Sequence, residues 1–417
     1  MALVAASCTG GGQVEDVPVF TPATGGESLA NPSTTLIAPE PTEPPQIERP
    51  KLADYEIPCG ISAEPVEAES IGVAETTISI ATGSDEGAEF VGQSGARLTD
   101  AVIAMAEFCN ASGGLAGRTL AVSADDAVLT EVEAIAQRQC GQVLAVIGAG
   151  YLDQTVGDPV WDACGMPRFA GWPESVMIPG DPELVFAAVT AGIDEPTAVV
   201  VGSDTEFGQQ RSALMSDALT EAGIEVTAVR TYLTDEATNW GSVANAVSAD
   251  DVVYLTGSCR GAVVPLLEAG VSAGVTVVAG PSAYDLACLV EAQQAGVDLS
   301  ALRVELPFLP FEDLEDAPIT AALAEVLRSY ALPVTGDTLL ASAAFWDFAQ
   351  VSAQCAAEEL NRACLVDTQG ELEAELGLVN DAVERGCRVL LRVGEGGFAR
   401  VAPTVPGQML CPETADG

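Results

Sequence analysis

Thr77-Ile78-Ser79-Ile80-Ala81-Thr82 is followed by Gly83-Ser84-Asp85-Glu86-Gly87, and then by a stretch in which Ala101, Val102, Met105, Ala106 and Cys109 recur at helical spacing. A short β-branched run closed by glycine reads as a strand, and the apolar recurrence behind it reads as a helix with one buried face. Residues 110–114, Asn-Ala-Ser-Gly-Gly, end that helix, because glycine accepts the left-handed conformation of a C-terminal cap. Thr119-Leu120-Ala121-Val122-Ser123 makes the next strand and stops at Asp125-Asp126. Strand, helix, strand in this rhythm is the signature of a parallel sheet covered by helices.

Outward from that unit the rhythm continues. A helix is expected over about 130–139, a strand over 143–147, a helix over about 153–164 and a strand over 167–170. It restarts after Ile193-Asp194-Glu195-Pro196, with strands at 197–201, 224–229, 252–256 and 275–279, and helices between them such as 209–222. Residues 303–311 read as a strand returning toward the first unit, with helices at 319–330 and 339–360 behind it. The expected fold class is α/β: two Rossmann-like lobes with parallel-sheet cores, joined by a multi-strand hinge. Lobe one is expected to hold residues 75–190 plus about 312–390, and lobe two 191–311 plus about 391–411.

The 417 residues carry 16 Lys+Arg against 61 Asp+Glu, a formal charge of −45. Binding to nucleic acid or to anionic lipid by charge is therefore excluded as a working role. There is no histidine, which removes the usual base near neutral pH, the Ser-His-Asp triad and every His-containing metal site. Asp125-Asp126 is the obvious carboxylate pair, but neighbours on a strand point to opposite faces and need not converge on one substrate. No phosphate loop is present either, so the chain does not read as an enzyme, and no cofactor or metal is expected.

Eleven cysteines, at 8, 59, 109, 140, 164, 259, 288, 355, 364, 387 and 411, show no metal-ligand spacing. Cys8 follows Leu3-Val4-Ala5-Ala6-Ser7 and resembles the lipobox cysteine at which bacterial lipoproteins are cleaved and acylated. Setting it aside leaves an even ten, enough for five disulfides in an oxidising, extracytoplasmic compartment. Six residues separate Met1 from Cys8, short of the ~7–15 apolar residues of a signal. The anchor reading of residues 1–8 thus carries the expectation of a start further upstream; the alternative is an ordinary Cys8. Residues 9–74, rich in Pro, Thr, Glu and Gly, read as an extended tether, pinned near its end if Cys59 is paired.

Cys109-Asn110-Ala111-Ser112-Gly113-Gly114-Leu115-Ala116-Gly117-Arg118, with Asp125-Asp126-Ala127 after a strand, resembles a stretch of the leucine/isoleucine/valine-binding protein family. In order behind it come Val146-Ile147-Gly148, Gly165-Met166-Pro167, residues 202–208 (Gly-Ser-Asp-Thr-Glu-Phe-Gly) and Gly280-Pro281-Ser282. The resemblance spans roughly 77–360. It implies a type I periplasmic binding fold, the solute-binding lipoprotein of an ABC importer, with permease subunits as partners and the membrane reached only through the anchor. A sensory module reporting to a membrane receptor is the alternative use of the same cleft.

In each lobe the strand C-termini and helix N-termini meet at one edge, where backbone N–H groups favour an oxygen acceptor. Gly148-Ala149-Gly150 and Ala170-Gly171-Trp172 match loops that in the family hold the ligand carboxylate. Trp172, Tyr151, Phe90, Phe207 and Tyr284 are candidate aromatic walls, Phe207 matching an aromatic that contacts ligand in relatives. Ser84 and Ser258, just past strand ends, join the set. Where relatives that bind amino acids often place an acid after Gly280-Pro281, this chain has Ser282; Asp285 or Asp204 is then the candidate acceptor for a ligand ammonium. The ligand class stays open among amino acids, amides, urea-like molecules and carboxylates. The relatives' small disulfide is missing, since position 128 is Val. Cys140 with Cys164, and Cys259 with Cys288, are the expected pairs.

Overall fold

The computed structural model describes residues 51–52, 55–56, 59–60, 70–87, 93–128, 130–151, 154–169, 182–233, 238–271, 274–313, 315, 318–355, 360–372, 386–394 and 397–412. Lys51–Leu52 (β1) and Tyr55–Glu56 (β2) form a small antiparallel ladder. The deciding run is β3 (Thr77–Ser84), whose Ile78 and Ile80 are fully buried. Helix α1 (Gln93–Ala111) lays Leu98, Ala101, Val102, Met105 and Cys109 on that face, the spacing that puts side chains on one stripe. It ends where the Gly114 N–H caps the Cys109 carbonyl at 2.9 Å, Gly114 standing at φ +81°.

Sheet one is parallel, in the order β4 (Thr119–Asp126), β3, β5 (Val146–Ile147), β6 (Arg168–Phe169). On its other face lie α2 (Val132–Gln142) and α3 (Asp158–Ala163), where Ile135, Ala136 and Trp161 pack on Ala81 and Val146.

In sheet two, β7 (Thr197–Ser203), β8 (Val226–Tyr232), β9 (Asp251–Leu255), β10 (Thr276–Ala279) and β11 (Leu302–Leu306) are parallel. Antiparallel β12 (Val389–Gly394) and β13 (Gly397–Ala402) follow, giving the order β13-β12-β11-β10-β9-β7-β8. One face is covered by α4 (Pro182–Thr190) and α5 (Glu206–Glu221). Against the other pack α6 (Trp240–Asn245), α7 (Val264–Glu268) and α8 (Leu286–Gln294). The mixed α/β class with parallel-strand sheets is the expected one.

The chain then returns to sheet one. Helix α9 (Pro318–Ser329) leads into α10 (Gly336–Cys355), which is buried almost all round and packs on α1. Phe348 of α10 meets Phe169 edge-on at 5.6 Å. In α11 (Arg362–Leu372), Arg362 donates to the carbonyls of Gln139, Cys140, Val143 and Cys164, where α2 and α3 end.

Several expected boundaries move. Helix α4, placed with lobe one, buries Val185 and Phe186 against Ala198 and Val200 of sheet two, so it belongs to that sheet's helical layer. Residues 303–311 do not return to the first lobe as a strand: β11 completes the parallel part of sheet two, and the return follows it. The tether does not run to 74: Cys59 is bonded to Cys109, Val73 bridges Ile78, and the Ser70 hydroxyl donates to the Leu360 carbonyl at 3.0 Å. Residues 1–50, Cys8 among them, lie outside the described residues.

The disulfides are Cys59–Cys109, Cys140–Cys164, Cys259–Cys288, Cys355–Cys364 and Cys387–Cys411. The second and third are the two pairs named from the sequence.

Candidate functional site

Parallel strands put their carboxyl ends, and the amino ends of the helices behind them, on one edge of each sheet. On sheet one this edge runs through Ser84-Asp85 and Gly148 to Tyr151; on sheet two through Ser203 to Thr205, Thr256 to Ser258 and Gly280 to Asp285. The two edges are joined directly. Arg97, near the start of α1, forms an ion pair with Asp285, the N-cap of α8, and both side chains are largely buried at 12% and 6% exposure. Beside it the Ser282 hydroxyl donates to Asp337 at 3.0 Å, and the Gly336 N–H donates to the Tyr284 carbonyl at 3.0 Å, fastening the start of α10 to the turn that follows β10.

Ser84 lies at the carboxyl end of β3, 1% exposed, and among the described residues its hydroxyl has no hydrogen-bond partner; neither do the buried hydroxyls of Thr82 and Thr99. Such groups cost stability unless something polar meets them. On sheet two, the Asp204 N–H donates to the Tyr232 carbonyl at 2.9 Å, Thr205 caps α5 through Gly208 N–H at 3.0 Å, and Ser258 accepts from Gly261 N–H at 3.1 Å. Asp204 and Ser258 are half-buried on adjoining strand ends. The Tyr232 hydroxyl donates to the Thr256 carbonyl at 3.1 Å, and burial pushes that phenol up to about 12. Burial likewise lowers the nearby Arg211 guanidinium to about 10.

Three expectations change. The Gly148 and Gly150 amides donate to the Phe169 and Gly83 carbonyls at 2.7 and 3.0 Å, so they serve the sheet rather than an acceptor in a cleft. Gly148 is required for another reason: at φ +61° a Cβ would lie 2.4 Å from a Val102 methyl. Tyr151 is 1% exposed, stacked on Trp161 at 6.0 Å between ring centroids, and burial, then Asp125, drive its phenol far above the ordinary value. It is a core side chain. Tyr284 is another, 2% exposed, stacked on Phe311 at 5.4 Å, its hydroxyl donating to Glu312 at 2.6 Å and accepting from Phe311 N–H at 2.8 Å. Asp285 is no open acceptor for an ammonium, because Arg97 and the Cys288 N–H hold its carboxylate.

Phe90, Gly171 and Trp172 lie outside the described residues, and Phe207 is described only as backbone in the first turn of α5. The structure thus gathers Ser282, Tyr284 and Asp285 into the joint between sheets, and leaves Ser84, Asp204 and Ser258 on the two edges. Arg97 and Asp337 were missed. Among 16 basic residues facing 61 acids, a cation in the first turns of the helix behind β3 was the available signal.

No protein-family model matches the chain, and no curated protein matches it by sequence. Solved structures do. A fatty acid ABC transporter substrate-binding protein from Thermomonospora curvata superposes with a TM-score of 0.66 at 16% identity, over 82% of this chain and 95% of that one. The branched-chain amino acid transporter substrate-binding protein LivJ from Streptococcus pneumoniae, in complex with isoleucine, gives 0.63 at 14%, over 81% and 100%. A solute-binding protein of an ABC transporter from R. palustris, in complex with benzoate, gives 0.58 at 13%, over 80% and 98%. The fold is that of the type I periplasmic binding proteins, two α/β lobes, as the sequence resemblance implies.

Proposed function

We propose that the chain is the extracytoplasmic solute-binding component of an ABC importer, held to the membrane through Cys8 and capturing a small polar ligand by closure of its lobes. The observation that carries this reading is the pairing of two parallel sheets whose carboxyl edges are joined at Arg97–Asp285 and presented with unsatisfied or polar groups, Ser84 on one side and Asp204 and Ser258 on the other. A ligand that touches both edges binds the closed form better than the open one and shifts the population by that difference. The neighbours' names support the role, since they are substrate-binding proteins of transporters, and their ligands, a fatty acid, isoleucine and benzoate, show how widely the fold varies its solute.

Among amino acids, amides, urea-like molecules and carboxylates, the satisfied state of Asp285 favours ligands that carry no ammonium. Hydrogen-bonding edges and a buried hydroxyl suit an amide, urea or carboxylate head. A thermal-shift screen of these classes tests the reading. One class raises Tm, a ligand at a hundred times its Kd adding about 2.7 kcal/mol. No shift with any of them, together with turnover of one, overturns it.

A further inference from the structure

Arg303 stands directly opposite Arg392 in the antiparallel register of β11 and β12. Like charges in that position repel and destabilise the ladder. With 61 acidic side chains available to 16 basic ones, an arginine meets a carboxylate easily, as Arg388 of the same strand region does at Glu305. Here the facing residue is a second arginine, and among the described residues neither guanidinium is ion-paired. Arg303 is anchored instead by one terminal nitrogen, which donates to the Ser300 and Leu302 carbonyls, both at 2.9 Å. Burial, and then the Arg392 charge, hold its guanidinium below the ordinary value.

Arg303 also lines a cavity of ≈ 330 Å³, together with Thr276, Asp298, Ser300 and the glycines 270 and 274. That volume is at the small end of ligand sites. The cavity opens at the amino ends of β10 and β11, whereas Gly280 and Ser282 lie past the carboxyl end of β10, so it is on the opposite edge of sheet two from the site described above. Asp298, the acid on its rim, is turned to the Ser300 N–H at 2.9 Å, a bond that holds its carboxyl below the usual range.

We infer that this edge of the second sheet carries a separate site for a small free oxyanion, phosphate or carboxylate, with Arg303 and Arg392 as its cationic pair and the cavity beside Arg303 as its seat. The anion relieves the repulsion between the two guanidiniums and takes the N–H donors that Arg303 does not spend on its own backbone. Arg is suited to this because its planar fork matches a two-oxygen edge.

The test is calorimetric titration of the full chain with inorganic phosphate, and separately with acetate, at constant ionic strength. One anion per chain is expected, with binding weakened at least tenfold in Arg392→Gln and strengthened several-fold in Asp298→Asn. Both variants still unfold in one cooperative transition, Arg392→Gln at a temperature equal to or above that of the wild type in anion-free buffer. Absence of saturable binding of either anion, or binding unchanged in Arg392→Gln, overturns the proposal. A response to neither substitution with saturation intact places the anion elsewhere and overturns it equally.

Discussion

Arg97 and Asp285 set the behaviour of the joint at the level of single side chains. Removing one member of a largely buried ion pair leaves the other charge uncompensated, at a cost of about 3 kcal/mol. Arg97→Met is therefore expected to lower the urea-unfolding free energy by about that much, and Asp285→Asn added to it to restore a substantial part. A loss in the double variant equal to the sum of the losses in Arg97→Met and Asp285→Asn alone would show that the two do not interact. The residue level was also the hardest to read. Tyr151 and Tyr284 follow strand ends just as aromatic walls do, and only packing on Trp161 and Phe311 separates a core ring from a wall. Asp285 was legible as an important acid, but its partner is 188 positions away, beyond any local pattern. Cysteine pairs were easier, since Cys140 and Cys164 close neighbouring helices on one face.

Elements were legible where burial is one-sided. Helix α1 shows its stripe in the spacing of Leu98, Val102, Met105 and Cys109, whereas α10 is buried on every side and has no stripe to show; only its length and apolar content marked it. Strands β5 and β6 are shorter than their apolar runs, because only two residues of each find ladder partners. The β12–β13 hairpin went unseen: its place depends on pairing with β11, from which it is separated by the whole return of the chain through α9 to α11. The elements are stapled by five disulfides, which use ten of eleven cysteines and leave Cys8. Thiol titration of the unfolded, unreduced chain should accordingly find at most one reactive thiol. Ten would contradict both the bonding and the compartment it implies.

At the scale of the whole molecule, the two-lobe plan was the most legible feature, because a repeated strand–helix rhythm needs no knowledge of distant contacts. Charge acts at this scale too. A body of net charge −45 repels itself, and salt shortens the reach of that repulsion from about 10 Å at 0.1 M to about 3 Å at 1 M. Raising sodium chloride across that interval should increase Tm by roughly 5 °C. A flat or falling Tm in calorimetry would mean that local pairs, Arg388–Glu305 and Arg400–Asp313 among them, outweigh the global term.

The bond between Cys59 and Cys109 has a mechanical consequence. Whatever tugs on the leader ahead of Cys59 loads the far end of α1 and, through it, the half built on β3. The half built on sheet two comes after β6 in the chain, so that load reaches it only by way of the half built on β3.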